Sequence, residues 1–510
     1  MKNKITYCIT FIGAMMLLIS SCSDKLDVAP VSSISDANFW KSPDQVDAFV
    51  TGIHARFREH NAAFRTLGEL RADIFGLEPG SSASFTGEAT QGLERLWLQS
   101  LDPNNPGISG FGGFYGNIAQ LNLLISKLKT TDVVAPATED YYLGIAHGMR
   151  AYYYFHMLRT WGDVVIQTEP TTGVDIANLA KPASSQEEVM NLIKADIDSS
   201  NTSFGEDYSF RQSKSFWSKA ATQMLKAEVY LWTSYRGGGA ADALVAKNAL
   251  TDIQANVPAL ALLPDYADVF AAGNKGNNEI IFASRYGLNE ATQSIISFVP
   301  QTGLITNFYD SLENRQFTVA TENWGGLLRA PVQVSTFREF NDLDSRKWAT
   351  IQPAYEKVGD TYQIAGAFVK KFEGEQSAGS RQYTNDYPIY RYADLLLLLA
   401  EAKLILGEDP SAENNAVRQR AFGENYDAAV HGFPNQPIDA DPKEAILRER
   451  FLEFIFEGKR WYDLRRMGDN FVYEHTTLTE DEAYKLLWPI DRGSLTDNRA
   501  LEQNPGYQKF

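Results

Sequence analysis

Large aromatic side chains in loop-like stretches of the sequence are the first candidates for chemistry. Trp324 follows an asparagine and precedes two glycines in a long stretch without helical periodicity. A large ring beside flexible glycines has less core to enter, so we expect it to be exposed. Tyr286, which follows Arg285, and Tyr309, near Asn307, are candidates of the same kind. Exposed rings stack on the apolar C–H face of a sugar, which indicates ligand binding rather than catalysis.

Three further candidates each have an alternative that needs no ligand. Arg71 and Asp73 could form planar, bidentate hydrogen bonds to sugar hydroxyls, or they could form a local ion pair. Trp97 lies between apolar and charged residues in the segment from Leu93 to Gln99. It is either a stacking ring or a tryptophan buried in a short helix. The sequence leaves both alternatives open.

No motif for catalysis or metal binding is found in the sequence. The six histidines form no HExxH motif and no close cluster of metal ligands. A Walker loop, a GxSxG elbow and a GxGxxG fingerprint are also missing. The 64 acidic residues offer carboxylate pairs at any spacing, so they do not indicate a glycosidase. We therefore predict a non-enzyme with no metal or cofactor, and a hydrolase without a recognisable motif is the enzymatic alternative.

The N-terminus has the pattern of a lipoprotein signal. Lys2 and Lys4 precede an apolar run from Ile5 to Ile19, and small residues lead on to Cys22. The run is too short to span a bilayer and fits a signal peptide over residues 1–21. The junction resembles a bacterial lipobox, in which the cysteine is lipidated. Acyl chains on Cys22 would anchor the mature protein to a membrane.

Charge and composition limit the partners and the domain organisation. The formal net charge of -17 disfavours nucleic acid and other polyanions, and it leaves neutral ligands open. No Gly/Ser-rich or Pro-rich linker divides the chain. We therefore expect one compact unit, in which an N-terminal helical part, 22–254, is followed by a loop-rich and C-terminal part, 255–510.

Helical periodicity predicts a mainly α fold. Ser42 and Gln45 have the spacing of a capping box at the start of one helix. The run Leu395 to Ala400 is apolar on all sides but bracketed by charges, which indicates a buried helix rather than a membrane span. Further helices are predicted around residues 116–129, 139–161, 186–200, 215–235, 240–254, 388–406 and 442–467. In the last of these, an apolar stripe lies opposite a polar face formed by Arg448, Glu449, Arg450, Glu453 and Lys459.

Two long stretches lack this periodicity. Residues 76–114 and 255–387 are rich in Gly, Pro, Asn and aromatic residues, with only short strand-like pieces such as 279–284. Loops of this length are unusual in a compact domain and often carry function. A binding surface is expected there.

Four segments of the chain resemble the signature stretches of the SusD/RagB family. They run from His147 to Asp163, from Ala220 to Trp232, from Tyr387 to Ala402 and from Arg448 to Asp469. Leu487-Trp488-Pro489-Ile490 also fits the usual ending of the family. Arginine-carboxylate and arginine-aromatic pairs lock packed helices together, so we expect the signature residues to be scaffold. These are Arg150, Tyr152, Arg391, Asp394, Glu457, Arg460, Trp461, Asp463 and Arg465.

The resemblance implies a fold of tetratricopeptide-like helix pairs, elaborated by long loops and a few short strands. It implies a lipoprotein at the cell surface, anchored in the outer membrane through Cys22. The partner would be a SusC-like TonB-dependent transporter, over which the protein acts as a hinged lid. The ligand would be an oligosaccharide or polysaccharide, or alternatively a peptide. Trp97 lies in about the region where family members often place a stacking aromatic.

Overall fold

The computed structural model of the protein describes residues 39–77, 83–106, 111–170, 180–211 and 213–509. The predicted signal peptide and Cys22 lie outside this range. The α-helices are α1 Pro43–Glu59, α2 Asn61–Glu69, α3 Ala83–Thr86, α4 Glu94–Trp97, α5 Tyr115–Leu128, α6 Pro136–Trp161, α7 Gln186–Phe204, α8 Lys219–Thr233, α9 Gly239–Asn256, α10 Thr302–Ile305, α11 Val334–Glu339, α12 Ser345–Thr350, α13 Tyr392–Ile405, α14 Ser411–Phe422, α15 Ala428–His431, α16 Pro442–Phe454, α17 Arg460–Met467, α18 Asp469–His475 and α19 Arg492–Asp497.

The long helices pack as consecutive pairs. Helix α6 packs against α7, α8 against α9, and α13 against α14, while α9 and α16 also contact α13. Each pair buries apolar surface that neither helix could bury alone, which is the logic of a helical-repeat scaffold. The fold is therefore mainly α, with tetratricopeptide-like helix pairs, as predicted.

Helix α13 lies inside this scaffold. The run Leu395 to Ala400 is buried on every side of the helix, as the sequence predicts. Within the described part of the chain, no helix has the length and apolar character needed to cross a bilayer.

Short strands connect the helical layers. They are β1 Ile280–Ser284, β2 Tyr309–Asp310, β3 Arg315–Gln316, β4 Ile351–Val358, β5 Thr361–Val369, β6 Glu375–Ser377, β7 Ser380–Gln382 and β8 Tyr387–Arg391. Strand β1 pairs antiparallel with β8, and β3-β2-β4-β5 form an antiparallel sheet. The prediction of only short strand-like pieces in 255–387 is wrong for β4 and β5, which form a hairpin of eight and nine residues.

Three predicted helix details are also wrong. The helix predicted from residue 388 begins only at Tyr392, because the preceding residues extend as β8 and pair with β1. The helix predicted over 442–467 is divided into α16 and α17, because Phe456 and Gly458 have φ values of 70° and 72°. The capping box at Ser42 is not formed, since Gln45 instead accepts a hydrogen bond from the backbone N–H of Lys41 at 2.8 Å.

The turn between α16 and α17 docks on α2 at very close range. A Cβ atom at Gly68 would lie 1.8 Å from the carbonyl oxygen of Gly458, so residue 68 must be glycine for the two segments to touch. The backbone N–H of Phe456 donates to Oε1 of Glu69, the last residue of α2, at 2.6 Å. Segments far apart in sequence are joined here without solvent between them.

Candidate functional site

The two candidate tryptophans have buried rings. Trp324 is 4% exposed, and its ring lies between Phe368, at 5.2 Å between centroids, and the guanidinium of Arg381, 4.2 Å from its centroid. The expectation of an exposed ring is wrong, because the ring packs between these two side chains, which are distant in sequence. Trp97 is 6% exposed at the end of the short helix α4, which is the second of its two alternatives. A role of either ring in ligand binding stays a prediction.

Arg71 and Asp73 do not form the local ion pair considered from sequence. Arg71 is fully buried, with its guanidinium 4.2 Å from the ring centroid of Trp461, and it donates to Gln99 Oε1 at 2.8 Å. Burial lowers the pKa of Arg71 to about 10. Asp73 instead accepts two hydrogen bonds from Arg460, at 2.9 and 2.6 Å. The two candidates therefore lie in different environments, although both belong to the short segment that follows α2.

Asp73 lines a cleft, whereas Arg71 does not. The cleft has a volume of about 400 Å³. His475 lies between two carboxylates there, with Nδ1 3.7 Å from Asp73 Oδ2 and Nε2 3.1 Å from Glu444 Oε1. Two further pairs on its walls join Arg460 to Asp73 and Arg448 to Glu339, so most of its charged groups already have a partner. In the described part of the chain, no group of three or more His, Cys, Asp or Glu residues could hold a metal ion.

Tyr286 is buried beside the C-terminal end of α1. Its ring is 6% exposed, and its hydroxyl donates to the carbonyl of Arg58 and accepts from Asn61 Nδ2, each at 3.2 Å. Burial raises the pKa of this phenol above its ordinary value. Tyr286 therefore holds α1 in place, while its neighbour Arg285 is exposed.

Tyr309 is partly exposed and lies in a cluster of three tyrosines. Its ring centroid is 5.7 Å from that of Tyr362, which is 6.4 Å from that of Tyr355. All three rings are partly accessible to solvent. We call this surface the tyrosine face and define it by Tyr309, Tyr355 and Tyr362.

Strand register places the three rings on one side of the sheet. Tyr309 is directly opposite Tyr355 across β2 and β4, and Lys357 is opposite Tyr362 across β4 and β5. Residues opposite each other in an antiparallel pair point to the same side, as do residues two apart in one strand. The tyrosine face is thus a property of the pairing, and Lys357 lies on the same side.

Polar groups surround the rings of the tyrosine face. Tyr362 donates from its hydroxyl to Asn314 Oδ1 at 2.6 Å, and the ammonium of Lys357 is 5.8 Å from its ring centroid. Within the described residues, the hydroxyls of Tyr309 and Tyr355 have no hydrogen-bond partner. Stacking surfaces with free hydroxyls beside them can bind a ring that has one apolar face and a polar rim.

Tyr355 and Tyr362 were not identified as candidates from the sequence, although the sequence contains a pattern that predicts the hairpin on which they lie. Gly359 and Asp360 form a two-residue turn between two runs rich in β-formers, and Gly359 has a φ of 62°. Such a turn is a recognised hairpin signal, and alternation along the hairpin would place Tyr355 and Lys357 on one side.

Comparisons with known proteins agree with this architecture. The sequence model that describes the SusD family matches residues 337–507 of this chain. Among solved structures, Bacteroides fragilis NanU is 46% identical, with a TM-score of 0.87, over 94% of this chain and 100% of that chain. A SusD superfamily protein from Bacteroides vulgatus is 40% identical, with a TM-score of 0.84, over 92% of this chain and 100% of that chain.

Curated relatives agree as well. SusD-like protein P38 of Formosa agariphila is 28% identical over 99% of this chain and 100% of its own length. The starch-binding protein SusD of Bacteroides thetaiotaomicron is 26% identical over 24% of this chain and 22% of its own length. Proteins similar to this chain thus include one named for binding a glycan. The chain belongs to the SusD family.

Proposed function

We propose that the protein is a non-catalytic, cell-surface glycan-binding lipoprotein. It captures an oligosaccharide or polysaccharide and delivers it, as a hinged lid, to a SusC-like TonB-dependent transporter in the outer membrane. The tyrosine face is the observation that carries the glycan part of this proposal. The family membership and the Cys22 lipobox support the surface location, and the transporter partner rests on the family resemblance.

The tyrosine face suits a sugar better than a peptide. Three partly exposed rings on one sheet surface provide stacking area, and the free hydroxyls of Tyr309 and Tyr355 can exchange hydrogen bonds with sugar hydroxyls. A peptide recognised as an added strand would need the open backbone groups of a sheet edge. The tyrosine side chains project from the flat side of the sheet instead.

Removal of a ring from the tyrosine face should weaken sugar binding. We expect Tyr355→Ala to reduce the affinity for a bound oligosaccharide about tenfold, because stacking area and a free hydroxyl are lost together. Isothermal titration of the mature chain without Cys22, against a panel of short neutral oligosaccharides, measures the effect.

Tyr484→Ala is the matched control for Tyr355→Ala. Tyr484 is 37% exposed and also pairs with a second tyrosine, Tyr507, at 5.0 Å between centroids, but it lies outside the tyrosine face. Its substitution should leave sugar affinity unchanged. Equal affinities in wild type and Tyr355→Ala would remove the tyrosine face from the proposal. Binding of peptides but of no sugar would support the peptide-binding alternative.

Cys22→Ala should release the protein from membranes. The chain has two cysteines, and Cys8 lies within the predicted signal peptide. Loss of the acylated residue removes the apolar chains that hold the protein at the bilayer. Palmitate labelling and membrane fractionation provide the measurement, with Cys8→Ala as the control that should stay labelled and membrane-bound. A labelled, membrane-bound Cys22→Ala variant would contradict the anchor.

A further inference from the structure

A second cavity lies away from the tyrosine face, between α1, the end of β1 and residues 213–216. Its volume is about 480 Å³, which is within the usual range for small-ligand sites. We call it the Phe216 pocket, after the partly exposed ring in its wall. Its other walls carry hydroxyls and charged groups: Thr51, Ser213, Ser215, Ser284, Arg58, Arg285 and Glu290.

Hydrogen bonds on both sides fix the segment that presents Phe216. The backbone N–H of Trp217 donates to His54 Nε2 at 3.0 Å, and that of Ala283 donates to the carbonyl of Lys214 at 3.0 Å. His54 Nδ1 in turn contacts the carbonyl of Val50 at 2.8 Å. Burial lowers the pKa of His54 to about 4, so the imidazole is neutral and keeps Nε2 as an acceptor. The backbone that presents the ring of Phe216 is therefore held in place before any ligand binds.

The charged side of the pocket is held by a turn. The backbone N–H groups of Gly287 and Ala291 exchange hydrogen bonds with the opposite carbonyls at 3.0 and 3.2 Å, which brings Glu290 back over the start of the turn. Glu290 Oε1 lies 2.5 Å from Arg58 Nη1, and Oε2 lies 3.8 Å from Arg285 Nε. One carboxylate thus lies close to two guanidinium groups. The Arg285 side chain is 63% exposed. Its N–H donors are available to a ligand.

The wall hydroxyls complement these donors. Thr51 donates to the carbonyl of Asp47 at 2.9 Å, and Ser284 donates to Asn61 Oδ1 at 3.2 Å. Each hydroxyl oxygen can still accept a hydrogen bond from a ligand. The pocket therefore combines one stacking ring with donors and acceptors, which is the combination that a sugar ring requires.

We propose that the Phe216 pocket is a second saccharide-binding site, which takes one end or branch of a neutral glycan by stacking on Phe216 and hydrogen bonding to Arg285 and Glu290. This inference rests on the proposed function and extends it from one site to two. Two linked sites raise the avidity for a long chain above the affinity of either site for a short one. The protein would thus retain polysaccharides better than short oligosaccharides.

Isothermal titration with the panel of short neutral oligosaccharides of glucose, galactose, mannose and xylose tests the pocket. We expect wild type to bind two molecules of a recognised oligosaccharide. Phe216→Ala should bind one, and Arg285→Ala should weaken one of the two sites about tenfold through the loss of a charged donor. Arg285 is on the surface, so its variant distinguishes loss of binding from loss of folding. Arg499→Ala, an exposed arginine outside the pocket, is the control.

The outcomes separate the two sites. If the wild type binds at one site only, and this site is lost in Tyr355→Ala but unchanged in Phe216→Ala and Arg285→Ala, the Phe216 pocket is overturned. The proposed function would then stay in place. If the one site is lost in Phe216→Ala and Arg285→Ala but unchanged in Tyr355→Ala, the result supports the Phe216 pocket and excludes the tyrosine face as a sugar-binding site. No binding of any sugar would overturn both.

Discussion

Arg391→Met is expected to lower the free energy of unfolding by about 4 kcal/mol, the usual range for removal of one partner from a buried ion pair. Arg391 is fully buried at the junction of β8 and α13. Its guanidinium contacts Glu279 at 2.8 Å, Glu453 at 2.5 Å and Glu457 at 2.8 Å. Methionine fills much of the same space but leaves these carboxylates without their main cation. Urea unfolding followed by tryptophan fluorescence measures the difference.

The surroundings of Arg391 explain why one substitution should cost so much. Its carboxylates belong to a larger buried network in which acids from α16, from the turn after it and from the residue before β1 face cations from several other segments. Burial by itself would raise the pKa of Glu453, but Arg420, Arg391 and Arg346 outweigh burial and hold this pKa well below its usual range. The residues of this network are Glu279, Asp344, Arg346, Lys371, Arg391, Arg418, Arg420, Asp439, Glu449, Glu453 and Glu457.

Arg448→Met is the control for Arg391→Met. Arg448 also pairs with a glutamate, Glu339, but the two side chains are 29% and 47% exposed. Water can solvate the Glu339 carboxylate that is left without its partner, so we expect a change below about 1 kcal/mol. If the two variants lost equal stability, the buried network would have no special role in holding β8 and α13 together.

The network also shows where inference from sequence stops. Helical periodicity finds α1, α5, α6, α7, α9 and α13 because each helix has apolar residues at regular spacing. The same periodicity identifies Glu449, Arg450 and Glu453 as members of a polar face, but it does not show that all three are buried. Their partners come from other segments, such as Arg346 in α12 and Asp394 in α13, and no local pattern records such pairing. The expectation that the signature residues are scaffold agrees with their burial, from Arg150 to Arg465.

The candidate site was predictable only in part, for a related reason. Tyr309 was found as a loop aromatic, but its grouping with Tyr355 and Tyr362 depends on strand register between β2, β4 and β5. The burial of Trp324 depends on Phe368 and Arg381, which follow it by more than forty residues. Residue type indicates which side chains can stack on a sugar. Tertiary pairing decides which of them reach the surface.

Glu69→Gln is expected to abolish a pH dependence of stability that the wild type has between about pH 5 and pH 8. Glu69 is fully buried, Oε1 accepts from the N–H of Phe456 at 2.6 Å, and Oε2 has no hydrogen-bond partner. Burial raises its pKa to about 8, although the Phe456 N–H, Lys371 and Arg65 act against the rise. The side chain is therefore largely protonated at neutral pH in the folded protein and ionised in the unfolded chain.

The sign of the effect follows from linkage. A carboxyl whose pKa is raised by folding stabilises the protein fully below its unfolded pKa, and this contribution is lost as the pH rises through the folded pKa. The free energy of unfolding of the wild type, relative to that of Glu69→Gln, should therefore fall on the order of 4 kcal/mol from about pH 5 to above pH 8. Glutamine stays neutral throughout and can still accept from Phe456. Urea unfolding of both proteins across this pH range gives the difference, in which the other titrating groups cancel.

Glu480→Gln is the matched control for this comparison, because Glu480 is an exposed glutamate. The free energy of unfolding of Glu480→Gln, plotted against pH, should run parallel to that of the wild type. The same parallel behaviour in Glu69→Gln would show that Glu69 is ionised in the folded protein at neutral pH. The turn at Phe456 would then dock on a charged carboxylate, and the cation of Lys371, whose pKa burial lowers to about 8, would have to balance it. A wild-type free energy of unfolding that falls relative to that of Glu69→Gln as the pH rises would instead establish that a neutral carboxyl joins α2 to the turn between α16 and α17.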